Sequence, residues 1–174
     1  PGDAVIISGP LGNHGIAVAE ARGNLGFSSQ VRSDIAPLNH IVKALLDAHL
    51  DVHVLRDPTR GGLATTLVEI ARQSKVNIQL DEETIPVDKP VLKTCELLGL
   101  DPLYLGNEGK LILILPAEQA GDALRVMHNT RHGEKAKLIG LVLEHSKGQV
   151  WLKTPFGTTR VLEMLAGEML PRIC

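Results

Sequence analysis

A chain of 174 residues, 44 % hydrophobic and with a formal charge of −2, can bury roughly 70 % of its unfolded surface in one domain, so neither disulfides nor a metal is needed to hold it together. Aromatic residues are only 2 % and lysines and arginines form no run, which excludes base stacking and a field that attracts a phosphate backbone; no nucleic-acid partner is expected. No apolar run approaches 18 residues, so no membrane-spanning helix is expected either.

In chain order, "DAVIISG" (3–9) is a continuous apolar run that suits a strand covered on both faces. "GIAVAEAR" (15–22) has a helical composition, and "GNLGFSSQVRSD" (23–34) reads as loop. In "LNHIVKALLDAHL" (38–50), Leu38, Ile41, Val42, Leu45 and Leu46 share one helix face. "VHVLR" (52–56) predicts a strand, "GGLATTLVEIARQ" (61–73) a helix, "VNIQL" (76–80) a strand and "KPVLKTCELLG" (89–99) a helix. "KLILIL" (110–115) predicts a central buried strand, followed by a helix over 117–130. Strands at 136–144, 149–153 and 158–163 finish the chain, with glycine-containing turns between them. Helices and strands that alternate early and give way to a strand-rich end predict an α+β domain, layered, with a mixed β-sheet covered by helices. No internal repeat or low-complexity linker divides it.

Three stretches carry residues suited to chemistry. "GPLGNHG" (9–15) lies between a strand and a helix, where backbone N–H groups and the helix dipole hold anions. A tight turn needing positive φ explains the same glycines, and His14 reads as a surface residue. In "RDPTRGG" (56–62), Asp57 followed by Pro58 matches a helix N-cap with proline at the first helical position. Arg60 and the pair Gly61 and Gly62 go beyond a cap: a cation and open backbone at a helix start make a phosphate site. "GNEGK" (106–110) reads as a turn with a solvated Glu108, or, if Glu108 faces a pocket, as the carrier of a general base.

Cysteine usage raises a separate question. Cys95 shares its helix face with Val91, Leu92 and Leu98 and reads as an inert packed thiol. Cys174 is the last residue, where a core role is not expected; accident, an intermolecular disulfide, or a thiol on a short arm serving chemistry elsewhere remain open. Two cysteines without a C-x-x-C pair argue against a disulfide framework and a zinc ribbon and fit a reducing cytoplasm. His49/His53 and His128/His132 have i,i+4 spacing but lie in no H-E-x-x-H, so no metal site is expected. The chain opens on "PGDAVIIS" without an initiator Met, which reads as a soluble fragment of a longer protein.

Taken together, "GDAVIISGPLGNHGIAV", "RDPTRGGLATTLVEIA", "NEGKLILILP" and the terminal "PRIC" resemble the C-terminal domain of the HypE family, the carbamoyl dehydratases of nickel–iron hydrogenase maturation. That family lies in the superfamily of aminoimidazole ribonucleotide synthetase and selenophosphate synthetase. The likeness covers essentially the whole chain; the glycine stretches are superfamily-like, and the proline-arginine-hydrophobe-cysteine end is specific to HypE. The resemblance implies a single domain over 1–166 and a flexible tail over 167–174. Cys174 would accept a carbamoyl group from HypF, ATP-driven dehydration would give a thiocyanate, and the cyano group would pass to iron on a HypC–HypD complex. Glu108 matches the family glutamate proposed as base. Asp57, Arg60, Gly61 and Gly62 are carried over only as groups facing a cleft shared with the nucleotide-binding domain. That domain would hold most contacts to ATP and Mg2+ and much of a homodimer interface, so this chain alone is expected to be inactive. Two other classes predict a dispensable thiol: an ATP-dependent small-molecule synthetase of the same superfamily, and a partner-docking domain.

Overall fold

The apolar run near the start forms β1 (Asp3–Ile7), and its side chains divide between two cores. Val5 and Ile7 enter one, Ala4 and Ile6 the other, because successive strand residues point to opposite faces. The computed structural model describes residues 1–23, 25–144 and 147–165. After β1 come α1 (Asn13–Ala21), α2 (Asn39–Asp47), β2 (Val54–Arg56), α3 (Gly62–Ser74), β3 (Asn77–Asp81) and α4 (Lys89–Leu98). β4 (Ile112–Pro116), α5 (Ala120–His128), β5 (Lys137–Leu143), β6 (Val150–Lys153) and β7 (Thr159–Leu162) complete the order. Short 3-10 turns occupy Glu82–Thr84, Pro102–Tyr104 and Ala117–Gln119.

The strands make one seven-stranded sheet in the order β2-β4-β1-β5-β3-β6-β7. Among the described strands only β3 and β6 pair in parallel; the other neighbours are antiparallel. The architecture is therefore the expected mixed sheet covered by helices, an α+β fold. β4 is buried as its sequence requires, but it lies one strand from the edge; the middle position belongs to β5. Alternation within β5 is interrupted by a register shift opposite Val5 and Ile6, which leaves Leu138 and Leu141 exposed.

Helices cover both faces. α2 and α5 bring Ile41, Leu45, Ala123 and Met127 onto Ala4, Ile6, Leu113 and Leu115. α3 brings Leu63, Leu67 and Val68 onto Val5, Ile7, Ile112 and Ile114 on the opposite side. Each fully buried aliphatic side chain contributes roughly 1.5–3 kcal/mol of transfer free energy. Leu46, expected on the apolar face of α2, is 55 % exposed; the buried stripe runs through Ile41 and Leu45, and Leu46 falls beyond its border. A third cluster joins α1 to α4 through Ile16, Ala19, Val91, Cys95 and Leu105. Leu92, assigned by sequence to the same face as Cys95, is 42 % exposed.

Candidate functional site where three loops meet

Register brings the three chemically suggestive stretches together. Ile7 and Arg56 both pair with Ile112, so the loops leaving β1 and β2 lie beside the loop entering β4, all at one end of the sheet. Asn107 fastens them. Its Oδ1 accepts the Gly12 N–H at 2.8 Å, its Nδ2 donates to the Leu105 carbonyl at 2.8 Å, and its backbone N–H donates to the Pro58 carbonyl at 3.1 Å. Asn107 is fully buried, as such a node must be if its polar groups are satisfied by protein rather than water. The sequence reading treated this asparagine as turn chemistry and missed its bridging role.

Glu108 follows directly. In the stretch 105–115 every residue is buried except Glu108, which is partly exposed. The sequence alternatives were a solvated turn and a residue facing a pocket; the loop around Glu108 is an anchored, mostly buried segment that presents this one carboxylate outward.

The glycines at the helix starts serve packing. Gly12 caps α1 with φ 85°, and a Cβ there would stand 2.8 Å from Val91 Cγ1 and 2.9 Å from Leu105 Cδ1. Gly62 opens α3 with φ 63°, and its Cβ would stand 2.5 Å from the Leu103 carbonyl oxygen and 2.6 Å from that of Leu105. Neither helix start has a side-chain cap. The N-cap of α3 is Gly61, not Asp57. Asp57 and Pro58 precede the helix by too many residues to cap it, and the Pro58 carbonyl instead serves Asn107. Asp57 is exposed, 3.9 Å from Arg56 Nε, and Arg60 is exposed on the same loop. Both helix starts thus lack side-chain caps, while the Gly12 N–H and the space around Gly62 are taken up internally.

A polar layer surrounds the loop junction. Lys110, with its side chain 9 % exposed, forms an ion pair with Asp34 and donates to the Gly109 carbonyl at 3.2 Å. Asn13 Nδ2 donates to Asp88 at 3.0 Å, and Asp88 faces Lys135 at 3.7 Å. His14, read from sequence as a surface residue, is buried in α1 with Nδ1 2.9 Å from Ser33 Oγ, because the loop after α1 folds back over it.

Among the described residues no three His, Cys, Asp or Glu side chains converge on a metal position. His53 lies between Asp3 at 2.6 Å and Asp51 at 3.4 Å, and the hydrogen bond to Asp3 raises its pKa above the ordinary value. His128 Nε2 lies 2.9 Å from the Ala136 carbonyl oxygen. Cys95 is 1 % exposed; burial, helped by the charges of Asp101 and Glu96, pushes its thiol up to about 11. Cys174 and the rest of the predicted tail over 167–174 lie outside the described residues. No described helix is long and apolar enough to cross a membrane.

Residues 1–153 match the family model "AIR synthase related protein, C-terminal domain". The chain is 49 % identical over 174 residues to the carbamoyl dehydratase HypE of Azotobacter vinelandii, covering 100 % of this chain and 51 % of that protein. Among solved structures it is similar to hydrogenase maturation protein HypE in complex with ATP, at 50 % identity and TM-score 0.91 over 100 % of this chain and 53 % of that one. It is also similar to a HypE–HypF complex, at 41 % identity and TM-score 0.88 over 95 % of this chain and 53 % of that one. The chain thus spans about half the length of the curated relatives it matches.

Proposed function

The chain belongs to the AIR synthase related protein family, as its C-terminal domain, and from that membership we propose that it is the C-terminal half of a carbamoyl dehydratase of nickel–iron hydrogenase maturation. The full-length protein takes a carbamoyl group from HypF onto the Cys174 thiol, dehydrates it to a thiocyanate, and delivers the cyano group to iron held by a HypC–HypD complex. The names of the relatives and the HypE–HypF and HypE–ATP complexes support this reading. It works in the cytoplasm as a homodimer, and this half alone does not turn over.

Dehydration of S–C(=O)–NH2 to S–C≡N keeps the sulfur–carbon bond, removes two protons from nitrogen and removes the oxygen. ATP, as co-substrate with Mg2+, supplies the activation that lets that oxygen leave as phosphate. Glu108 accepts a nitrogen-bound proton, a role that requires a carboxylate held at a defined point and open on one side. Its being the one side chain not buried in an anchored loop is the observation that carries the assignment. Asp57, Arg60 and Gly61 face the cleft shared with the other half, where Arg60 and the start of α3 help hold phosphate, whereas Gly62, carried over with them from the family, packs against the Leu103 and Leu105 carbonyls. The Cys174 thiol serves donor, activating site and acceptor in turn.

The test is intact-mass measurement on the full-length protein incubated with the carbamoylating partner and then ATP. A carbamoyl addition on Cys174 that becomes the lighter cyano addition is expected. In Glu108→Gln the carbamoyl form should persist; conversion at the wild-type rate would show that the base is another residue.

A further inference from the structure

Two charged groups near the Glu108 loop, Lys110 and Asp34, are not used in the proposed proton transfer. Lys110 is buried two residues along the same loop, its stem running beside Gly9, where a Cβ would stand 3.3 Å from Lys110 Cε. It pairs with Asp34, across 76 residues of sequence. Among the described residues the second oxygen of that carboxylate is buried without a hydrogen-bond partner. Gly109 lies against the same segment so closely that a Cβ on it would overlap the Asp34 carbonyl oxygen. The loop carrying Glu108 is therefore gripped at two points, by Asn107 on one side and by the Lys110–Asp34 pair on the other, with Glu108 in the short span between.

An ion pair drawn largely out of water is a poor device for stability, because desolvating the charges offsets much of their attraction, and its use in some proteins is to define geometry. We propose that Lys110 and Asp34 are positioning residues, whose ion pair, buried on the lysine side, holds the 106–110 loop against the 33–36 segment and thereby aims the Glu108 carboxylate at its substrate. This rests on Glu108 being the base. Misplacing a catalytic group by about 1 Å costs on the order of 100-fold in rate, and a loop released at one of its two anchors loses the contact that fixes it to that precision.

The experiment uses full-length protein, carbamoylated beforehand, with the rate of ATP-driven dehydration followed by intact mass and normalised to the carbamoylated fraction. Lys110→Met and the near-isosteric Asp34→Asn should each slow the step about 100-fold with the KM for ATP little changed, and Lys110→Arg should recover part of the loss. Within a Glu108→Gln background, Lys110→Met should add little, since no base remains to be misplaced. Should Lys110→Met fail to fold in a thermal melt, Asp34→Asn decides alone. A wild-type rate in Asp34→Asn, or a full multiplicative loss on top of Glu108→Gln, overturns the inference and leaves the base assignment standing. A wild-type rate in Glu108→Gln overturns both.

Discussion

Asn107 Oδ1 accepts the Gly12 N–H at 2.8 Å across 95 residues of sequence, so the loop before β4 and the start of α1 are one polar unit. Replacing Asn107 by Ala leaves the Gly12 N–H and the Leu105 carbonyl without this partner in a buried setting. Each group so orphaned costs about 1–3 kcal/mol, and we expect a loss of at least ~2 kcal/mol in denaturant unfolding. Asn107→Asp should not restore it, because the lost Nδ2 donor faced carbonyl oxygens. A stability within ~0.5 kcal/mol of wild type, as at an ordinary surface position, would remove Asn107 as the node.

Gly62 separates a packing glycine from a phosphate-binding one. With φ 63° and the Leu103 and Leu105 carbonyl oxygens 2.5 and 2.6 Å from a Cβ position, Gly62→Ala carries a left-handed penalty of roughly 1–2 kcal/mol plus a backbone collision. The expected result is a loss above ~2 kcal/mol in the chain studied alone, with no nucleotide present. If the variant unfolds like wild type and loses only ATP affinity in the full-length protein, the glycine serves the ligand instead.

Much of this fold was legible because burial on two faces and helical periodicity are local properties. "DAVII" and "LILIL" read as covered strands from local pattern alone, and of the predicted face Leu38, Ile41, Val42, Leu45 and Leu46 only Leu46 proves exposed. The candidate site was legible only in part. That Gly12, Pro58 and Asn107 meet depends on Ile7 and Arg56 both pairing with Ile112, a register that no local pattern encodes. Asp34 ends a stretch read only as loop, and nothing in its surroundings announces a buried partner 76 residues away. His14 was misjudged for the same reason: its cover comes from Ser33, on the far side of a loop.

His53 makes stability depend on pH in a defined direction. Its hydrogen bond to Asp3, with Asp51 adding to it, raises the folded-state pKa above the ordinary 6.5. A raised pKa contributes stability that is fully present below about pH 6.5 and is lost as pH rises through the folded value. The gap between wild type and His53→Gln should therefore be widest near pH 5.5 and close toward pH 9, and it should shrink in high salt because the group is exposed and screened. A gap that widens with pH would mean that the Asp3 contact does not favour the charged ring.

The two cysteines should separate by chemistry. With its thiol pushed up to about 11, mainly by burial, Cys95 is ionised in roughly one molecule in ten thousand at neutral pH, whereas an ordinary thiol near 8.5 is a few per cent thiolate. Alkylation of the native chain should thus modify Cys174 first and reach Cys95 only on unfolding. Cys95→Ala opens a small cavity in the cluster joining α1 to α4, costing on the order of 1 kcal/mol, but removes no group the proposed reaction uses. In the full-length protein it should keep the carbamoyl addition that Cys174→Ala abolishes. Peptide mapping after carbamoylation provides the check: a carbamoyl or cyano group on Cys95, or on a lysine, would overturn the role of Cys174 as carrier and the dehydratase reading built on it.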